Sequence, residues 1–158
     1  MKRLSVFITA LLLLLVLSAC GNSSEAESSV YSFSGQNDAF EISDGVIIRS
    51  DKENVFEGGK IRAVSKSDLE NIKSFRAEFY TVKDGERTTV LIDEVVNESA
   101  DPLEIQADDL GKISSEDPSL VSNITEENTE LFCEVKILYR HGGKKTSVIE
   151  LTIKKITD

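Results

Sequence analysis

The chain has 158 residues, a formal net charge of −10 and 40% hydrophobic residues. That apolar fraction supports a packed core and excludes global disorder. The acidity excludes nucleic acid, whose phosphates demand a basic face, and equally a domain held flat on an anionic membrane by charge alone. With no Trp and three Tyr, there is little from which to build the flat aromatic platforms of carbohydrate-binding surfaces.

Lys2 and Arg3 open the chain, and an apolar run follows over residues 4–17. The run is shorter than the roughly 20 residues that a stable membrane-spanning helix needs, so it reads as the hydrophobic part of a signal peptide over residues 1–19. It ends in Leu17-Ser18-Ala19-Cys20. This resembles the lipobox of bacterial lipoproteins: an aliphatic residue, two small residues, then cysteine. The resemblance implies cleavage before Cys20, lipidation of its thiol with diacylglyceryl, and anchorage to the outer face of the cell membrane. In some bacteria the new N-terminus is acylated as well. Two or more acyl chains, each contributing about 0.8 kcal/mol per buried CH₂, hold a protein far more firmly than one. The alternative is an ordinary secretory leader that ends near a cysteine.

Gly21-Asn-Ser-Ser-Glu-Ala-Glu-Ser-Ser29 is small, polar and acidic, without apolar periodicity. With Cys20 it predicts a flexible linker over residues 20–29. Nine such residues reach about 30 Å when fully stretched.

From Val30 the dominant period is two, so residues 30–158 predict one β-domain. Short strands are expected over 30–33, 40–42 and 46–49, with Asp44-Gly45 turning between the last two. Another spans 56–64, with Gly58-Gly59 as a bulge or corner. Ser67-Asp-Leu-Glu70 has the form of a capping box and predicts one helical turn at 66–72. Phe75, Ala77, Phe79 and Thr81 alternate with Arg76, Glu78 and Tyr80. Asp84-Gly85 then supplies a tight turn, and the return strand runs over 88–96. A short edge strand is expected over 103–107, and the polar stretch 111–130 is expected to be irregular. Leu131, Cys133, Val135, Ile137 and Tyr139 alternate with polar and aromatic neighbours. A turn over 140–144 leads to Ile149, Leu151 and Ile153 on the returning strand. About 7–9 strands with frequent turns predict an antiparallel β-sandwich.

Two further resemblances follow. Glu127-Asn-Thr-Glu-Leu131-Phe-Cys133 is similar to the segment entering strand F of immunoglobulin-like domains, where an acidic residue, a Tyr and a Cys have this spacing. Here Leu131 stands in place of the Tyr, and there is no partner cysteine and no core Trp. The second is to small surface lipoproteins of single-membrane (Gram-positive-type) bacteria. It is carried by Tyr31-Ser-Phe-Ser-Gly35, Asn37, Phe40, Gly45-Val-Ile-Ile48, Phe56-Glu-Gly-Gly59, Phe79-Tyr80 with Asp84-Gly85, and Asp109-Leu-Gly-Lys-Ile-Ser114. These resemblances imply an anchored immunoglobulin-like sandwich and no particular activity.

The chemistry of the chain is sparse. His141, the only histidine, falls at a turn tip beside two glycines, where a catalytic triad could not be oriented. One histidine with a strand-buried Cys133 cannot supply a zinc site. Alternation turns Cys133 inward as a small core hydrophobe, and with Cys20 lipidated it has no disulfide partner. Asp101, Glu104, Asp108 and Asp109 form an acidic cluster without the patterned loop of a calcium site, so calcium binding there stays open. Arg140, His141, Lys144 and Lys145 make one basic spot that could touch wall polyanions or lipid headgroups. Asp93 and Glu94 are adjacent on a strand and point to opposite faces. No catalytic, cofactor-binding or metal-ligating residue is assigned; the one site residue is Cys20, for lipidation. The expected function is a non-catalytic binding or scaffolding module of the cell envelope, meeting an envelope protein or polymer through sheet edges or the 111–130 loop. The alternatives are an envelope hydrolase with a carboxylate-based site and an accessory subunit of a membrane complex.

Overall fold

The computed structural model describes residues 28–64, 71–97, 109–125 and 127–157. The leader, Cys20, the capping-box segment over 65–70 and the edge strand expected at 103–107 lie outside them. The elements are β1 (Ser29–Gln36), β2 (Phe40–Arg49), β3 (Asn54–Glu57), β4 (Lys60–Ala63), β5 (Ile72–Lys83) and β6 (Glu86–Val96). They continue with β7 (Lys112–Ser115), α1 (Ser119–Thr125), β8 (Glu130–Tyr139) and β9 (Lys144–Thr157). Every strand pairing is antiparallel, so the domain is all-β, as its period of two predicts.

The hydrogen-bonded path runs β6-β5-β8-β9-β1-β2-β3-β7, with β4 on β2 beside that path. Strand β9 makes it continuous. Its first part, from Lys144 to Leu151, pairs with β8, and its second, from Thr152 to Thr157, pairs with β1. The free strands β6 and β7, at the two ends of the path, line the same cleft. The sheet therefore curls until it almost closes, which shelters edges that would otherwise invite intermolecular pairing.

Alternation decides what the curl encloses. Leu131, Cys133, Val135 and Ile137 of β8 are buried, as are Ile149 and Leu151 of β9 and Phe75, Ala77 and Phe79 of β5. At the centre, Phe33 of β1 stacks on Phe56 of β3 with ring centroids 5.1 Å apart. Phe79 of β5 meets both rings edge-on, at 5.9 and 5.2 Å. Offset-stacked and T-shaped pairs suit the ring quadrupoles and add about 0.5–1.5 kcal/mol each beyond area burial. One half of the sheet supplies two rings and the other half the third.

A sheet bends this far only where the backbone is relieved. Asp44-Gly45, expected to turn between two short strands, instead forms a bulge inside one ten-residue strand. Phe33 pairs with Gly45 but Gly35 with Ile42, so β2 carries one extra residue, and Asp44 takes φ 58°. Asp is among the few side chains that tolerate this left-handed conformation. Above the bulge β2 pairs with β4, and below it with β3. Gly58-Gly59 forms the matching corner between β3 and β4, which both pair with β2. Gly59 has φ 75°, and a Cβ there would lie 2.2 Å from the Ser43 carbonyl oxygen. The β5–β6 turn is the two-residue Asp84-Gly85 hairpin that the sequence predicts, with φ 52° and 82°.

The stretch 111–130 is not irregular. It forms β7 and then α1, whose Val121 and Ile124 are buried. The Asp117 carboxylate accepts the Ser119 amide at 2.8 Å, and Pro118 stands where a missing N–H is harmless. Four apolar residues, Ile113, Leu120, Val121 and Ile124, are too few in a polar stretch to outweigh the turn signals around them.

Asn37 ties the β1–β2 turn to β9. Its Oδ1 accepts the amides of Ala39 and Phe40, both at 2.9 Å, and its Nδ2 donates to Ser147 Oγ and the Val148 carbonyl, both at 2.8 Å.

Phe56→Ala is expected to lower the unfolding free energy by about 3–5 kcal/mol, because it empties the centre of the ring cluster. Val96→Ala, on an exposed strand end, is expected to change it by no more than about 0.5 kcal/mol. Urea titration of both variants checks the contrast.

Candidate functional site

Outside the core, polar interactions concentrate on the outward face of β5, β6 and β8. Register builds this face row by row. Tyr80 sits between Phe132 and Thr89, Glu78 faces Glu134, and Arg76 sits between Lys136 and Glu94. Like charges directly opposite one another on neighbouring strands repel. Here a carboxylate pair, Glu78 with Glu134, lies one row from a cation pair, Arg76 with Lys136, and each row neutralises the other.

A third cation joins from β6. Arg87 Nη2 donates to Glu78 Oε1 at 2.9 Å and lies 3.5 Å from Glu134 Oε1. Its guanidinium carbon stands 3.6 Å from the centroid of the Tyr80 ring, and on the same face that ring stacks with Phe132 at 5.4 Å. Arg76 Nη2 donates to Glu78 Oε2 at 3.0 Å, and the Thr89 hydroxyl donates to Glu78 Oε1 at 2.9 Å. Glu78 is thus an outward-pointing carboxylate only 8% exposed, covered by the groups that bind it. Burial by itself pushes its pKa up. The hydrogen bonds from Arg87, Thr89 and Arg76 outweigh that and hold it below the usual carboxylate range. Burial raises the Tyr80 phenol above its ordinary value. Near neutral pH the site therefore presents fixed charges and flat rings, with no proton donor at Glu78. Exposed Ile92 and Val148 flank the carboxylate row.

Sequence alternation placed Arg76, Glu78 and Tyr80 on one face but did not bring them to Arg87 or Glu134. Nothing local says that β8 pairs with β5 in a register that opposes two glutamates.

The residues weighed from sequence are dispersed. His141 is exposed at the β8–β9 turn, its ring stacked on Tyr139 at 5.4 Å. Cys133 is fully buried, and burial pushes its thiol up to about 12. Glu94 points outward to Arg76, 3.7 Å away. Asp93, its neighbour in sequence, is pushed up by burial and then by the nearby Asp109. Asp109 lines a cleft with Asp44, Glu57 and Lys60, where Lys60 Nζ lies 3.2 Å from Asp44 Oδ2. Asp101, Glu104 and Asp108 lie outside the described residues. Among those described, no three His, Cys, Asp or Glu side chains are grouped to hold a metal ion. In the basic spot, Arg140 and Lys144 are exposed, and the Lys145 ammonium lies over the Phe40 ring at 5.9 Å.

Two further clefts lie on the surface of the described residues. A shallow groove of about 670 Å³ crosses β1, β2 and β9, lined by Glu41, Glu150, Thr152 and Lys154 among others; its Glu41 is ion-paired with Arg62. The seam between β6 and β7, about 310 Å³, is rich in hydroxyls and backed by Val90, Ile113 and Ile124. No helix among the described residues is long and apolar enough to cross a membrane. Comparison of the chain with protein families, characterised proteins and solved structures found no match.

Native Cys133 is expected to resist iodoacetamide at pH 8, where only a minute thiolate fraction exists, and to react once urea unfolds the chain; intact-mass measurement distinguishes the two. For Glu78, a depressed folded pKa means stability present above the ordinary value of 4.5 and lost as the pH falls through the folded value. Glu78→Gln is therefore expected to destabilise the protein clearly at pH 7 and much less at about pH 3. Urea midpoints at the two pH values test this, and an unchanged difference would show that the carboxylate charge is not what matters.

Proposed function

We propose that this chain is a lipid-anchored, extracytoplasmic lipoprotein whose β-domain is a non-catalytic binding or scaffolding module of the cell envelope. Anchorage rests on the order of charged start, apolar run, Leu17-Ser18-Ala19-Cys20 and polar linker, with lipid on Cys20 holding the protein to the cell membrane. The finer fold reading, an immunoglobulin-like sandwich, is supported by the two halves of the sheet meeting face to face through Phe33, Phe56 and Phe79.

The binding reading is carried by the Arg87–Tyr80–Phe132 stack on an open sheet face. Arginine and tyrosine are among the side chains that most often dominate protein interfaces, tyrosine because it covers a large area with only two rotating bonds. Here the guanidinium is already held over the ring by two glutamates, so little order remains to be imposed when a partner lands. A partner protein with a flat surface and carboxylates opposite Arg87 fits the face. The same geometry disfavours a hydrolase at these carboxylates. Glu78 is held ionised by its donors, whereas a glycosidase pair needs one carboxyl kept protonated.

Cys20→Ala is expected to move the protein from the membrane fraction to the soluble or secreted fraction. Continued membrane association after a carbonate wash would overturn the anchoring mechanism. Arg87→Ala is expected to abolish photo-cross-linking from a probe at position 148 in intact cells, while leaving the membrane fraction unchanged. Undiminished cross-linking would remove the sheet face as the binding surface.

A further inference from the structure

The curled sheet has an open mouth where β1 begins, and the strand face that carries the core becomes polar there. Strand alternation carries the interior face of β1 from Phe33 through Tyr31 to Ser29. It carries β2 from Ile47 to Arg49, β3 from Phe56 to Asn54, and β9 from Ile153 to Lys155. The apolar core thus gives way within one alternation to two cations, a phenol, a hydroxyl and an amide. These residues line one cavity of about 350 Å³ beside Pro118, at the start of α1.

Asn54 is the unusual member. It is 2% exposed, and its Oδ1 has no hydrogen-bond partner among the described residues. A buried acceptor left unmatched is costly, because it has given up water without gaining a donor. Inward-pointing strand residues at such depth are normally apolar. Arg49 and Lys155 are long enough to bring positive charge to the same cavity, and Asp51 on its rim leaves the lining with a net positive charge in an acidic protein.

We propose that this mouth binds a phosphorylated polyol, with glycerol phosphate as the simplest unit. Arg49 and Lys155 face the phosphate, for which a guanidinium fork and an ammonium are the usual protein partners. A polyol hydroxyl donates to Asn54 Oδ1, and the Tyr31 and Ser29 hydroxyls bond the remaining oxygens. Inorganic phosphate satisfies the cations and carries a donor hydroxyl of its own, but it lacks the carbon-borne hydroxyls that reach the amide and the Tyr31 and Ser29 oxygens while the phosphate stays on the cations, so the pairing of an anion with separate hydroxyls is what the lining selects. The position of the mouth adds a second argument, which rests on the proposed anchoring. Ser29 is the first residue of β1, and the eight residues between Cys20 and β1 reach no more than about 30 Å. The mouth therefore opens at the end of the domain from which the tether leaves, within reach of glycerophosphate headgroups. The chain's overall negative charge opposes approach to such a surface, and the anchor supplies the proximity that charge does not.

Two arms test this. First, sn-glycerol 3-phosphate is titrated by calorimetry into the full mature chain carrying Cys20→Ala, with inorganic phosphate and glycerol as controls. Saturable heat is expected with glycerol phosphate and at least about tenfold weaker binding with either control. Arg49→Gln and Lys155→Gln, both exposed side chains whose variants should fold, are each expected to weaken binding about tenfold, with Arg49→Lys recovering part of the loss. Second, the same protein is floated with vesicles of phosphatidylcholine alone or with added phosphatidylglycerol. Flotation only with phosphatidylglycerol, lost in Arg49→Gln, identifies the lipid headgroup as the source; binding of soluble glycerol phosphate without flotation identifies a soluble or polymeric polyol phosphate. Absence of saturable heat, equal affinity for inorganic phosphate, or affinity indifferent to Arg49 and Lys155 would overturn the inference. Because Cys20 is removed in both arms, failure of the anchoring would leave these outcomes unaltered, and membrane fractionation reads it separately.

Discussion

Three phenylalanine rings hold this domain in its shape. The sheet is a single hydrogen-bonded path, and nothing in backbone pairing alone obliges it to curl. Phe33 and Phe56 in one half and Phe79 in the other supply the reason, because burying all three requires the halves to face each other. With no intramolecular disulfide, since Cys133 is free, the enclosed apolar surface must offset the conformational entropy of ordering the chain.

The curl imposes its own demands. A continuous sheet turned back on itself needs local relief, found at the Asp44 bulge and the Gly58-Gly59 corner. Gly58 also leaves the space into which Leu110 and Phe79 pack, since a Cβ there would lie within 2.9 Å of both. It needs one strand long enough to belong to both halves, and β9 is that strand. The same glycines that release the backbone thus let the ring cluster close.

A closed interior sends the remaining chemistry to the outside and to the open end. On the outside, opposed glutamates and opposed cations alternate in rows, so that repulsion within each row is relieved by the next. The result is an electrostatic pattern under a guanidinium–tyrosine stack, in which the donors around Glu78 keep its carboxylate ionised near neutral pH. At the open end, alternation runs past the core, burying an amide and setting two exposed cations beside it. Both features follow from one period-two pattern; which face becomes sticky or polar depends on how far along each strand the core extends.

The sequence by itself determined the strand class, the two long hairpins and their turns, the inward set on β5, β8 and β9, and the interior position of Cys133. Alternation and turn chemistry are local, and both survive without knowledge of partners. It misread Asp44-Gly45 because a left-handed Asp-Gly pair serves equally well as a hairpin turn or as a bulge, and only the strand alongside decides between them. It missed β7 and α1, whose few apolar residues become meaningful only against the open side of the curled sheet. Tertiary structure alone decided that β8 lies against β5 with Glu78 opposite Glu134, and that Arg49, Asn54 and Lys155 share a mouth. Those meetings join residues far apart in the chain, and their register is set by the fit of buried side chains elsewhere on the same strands.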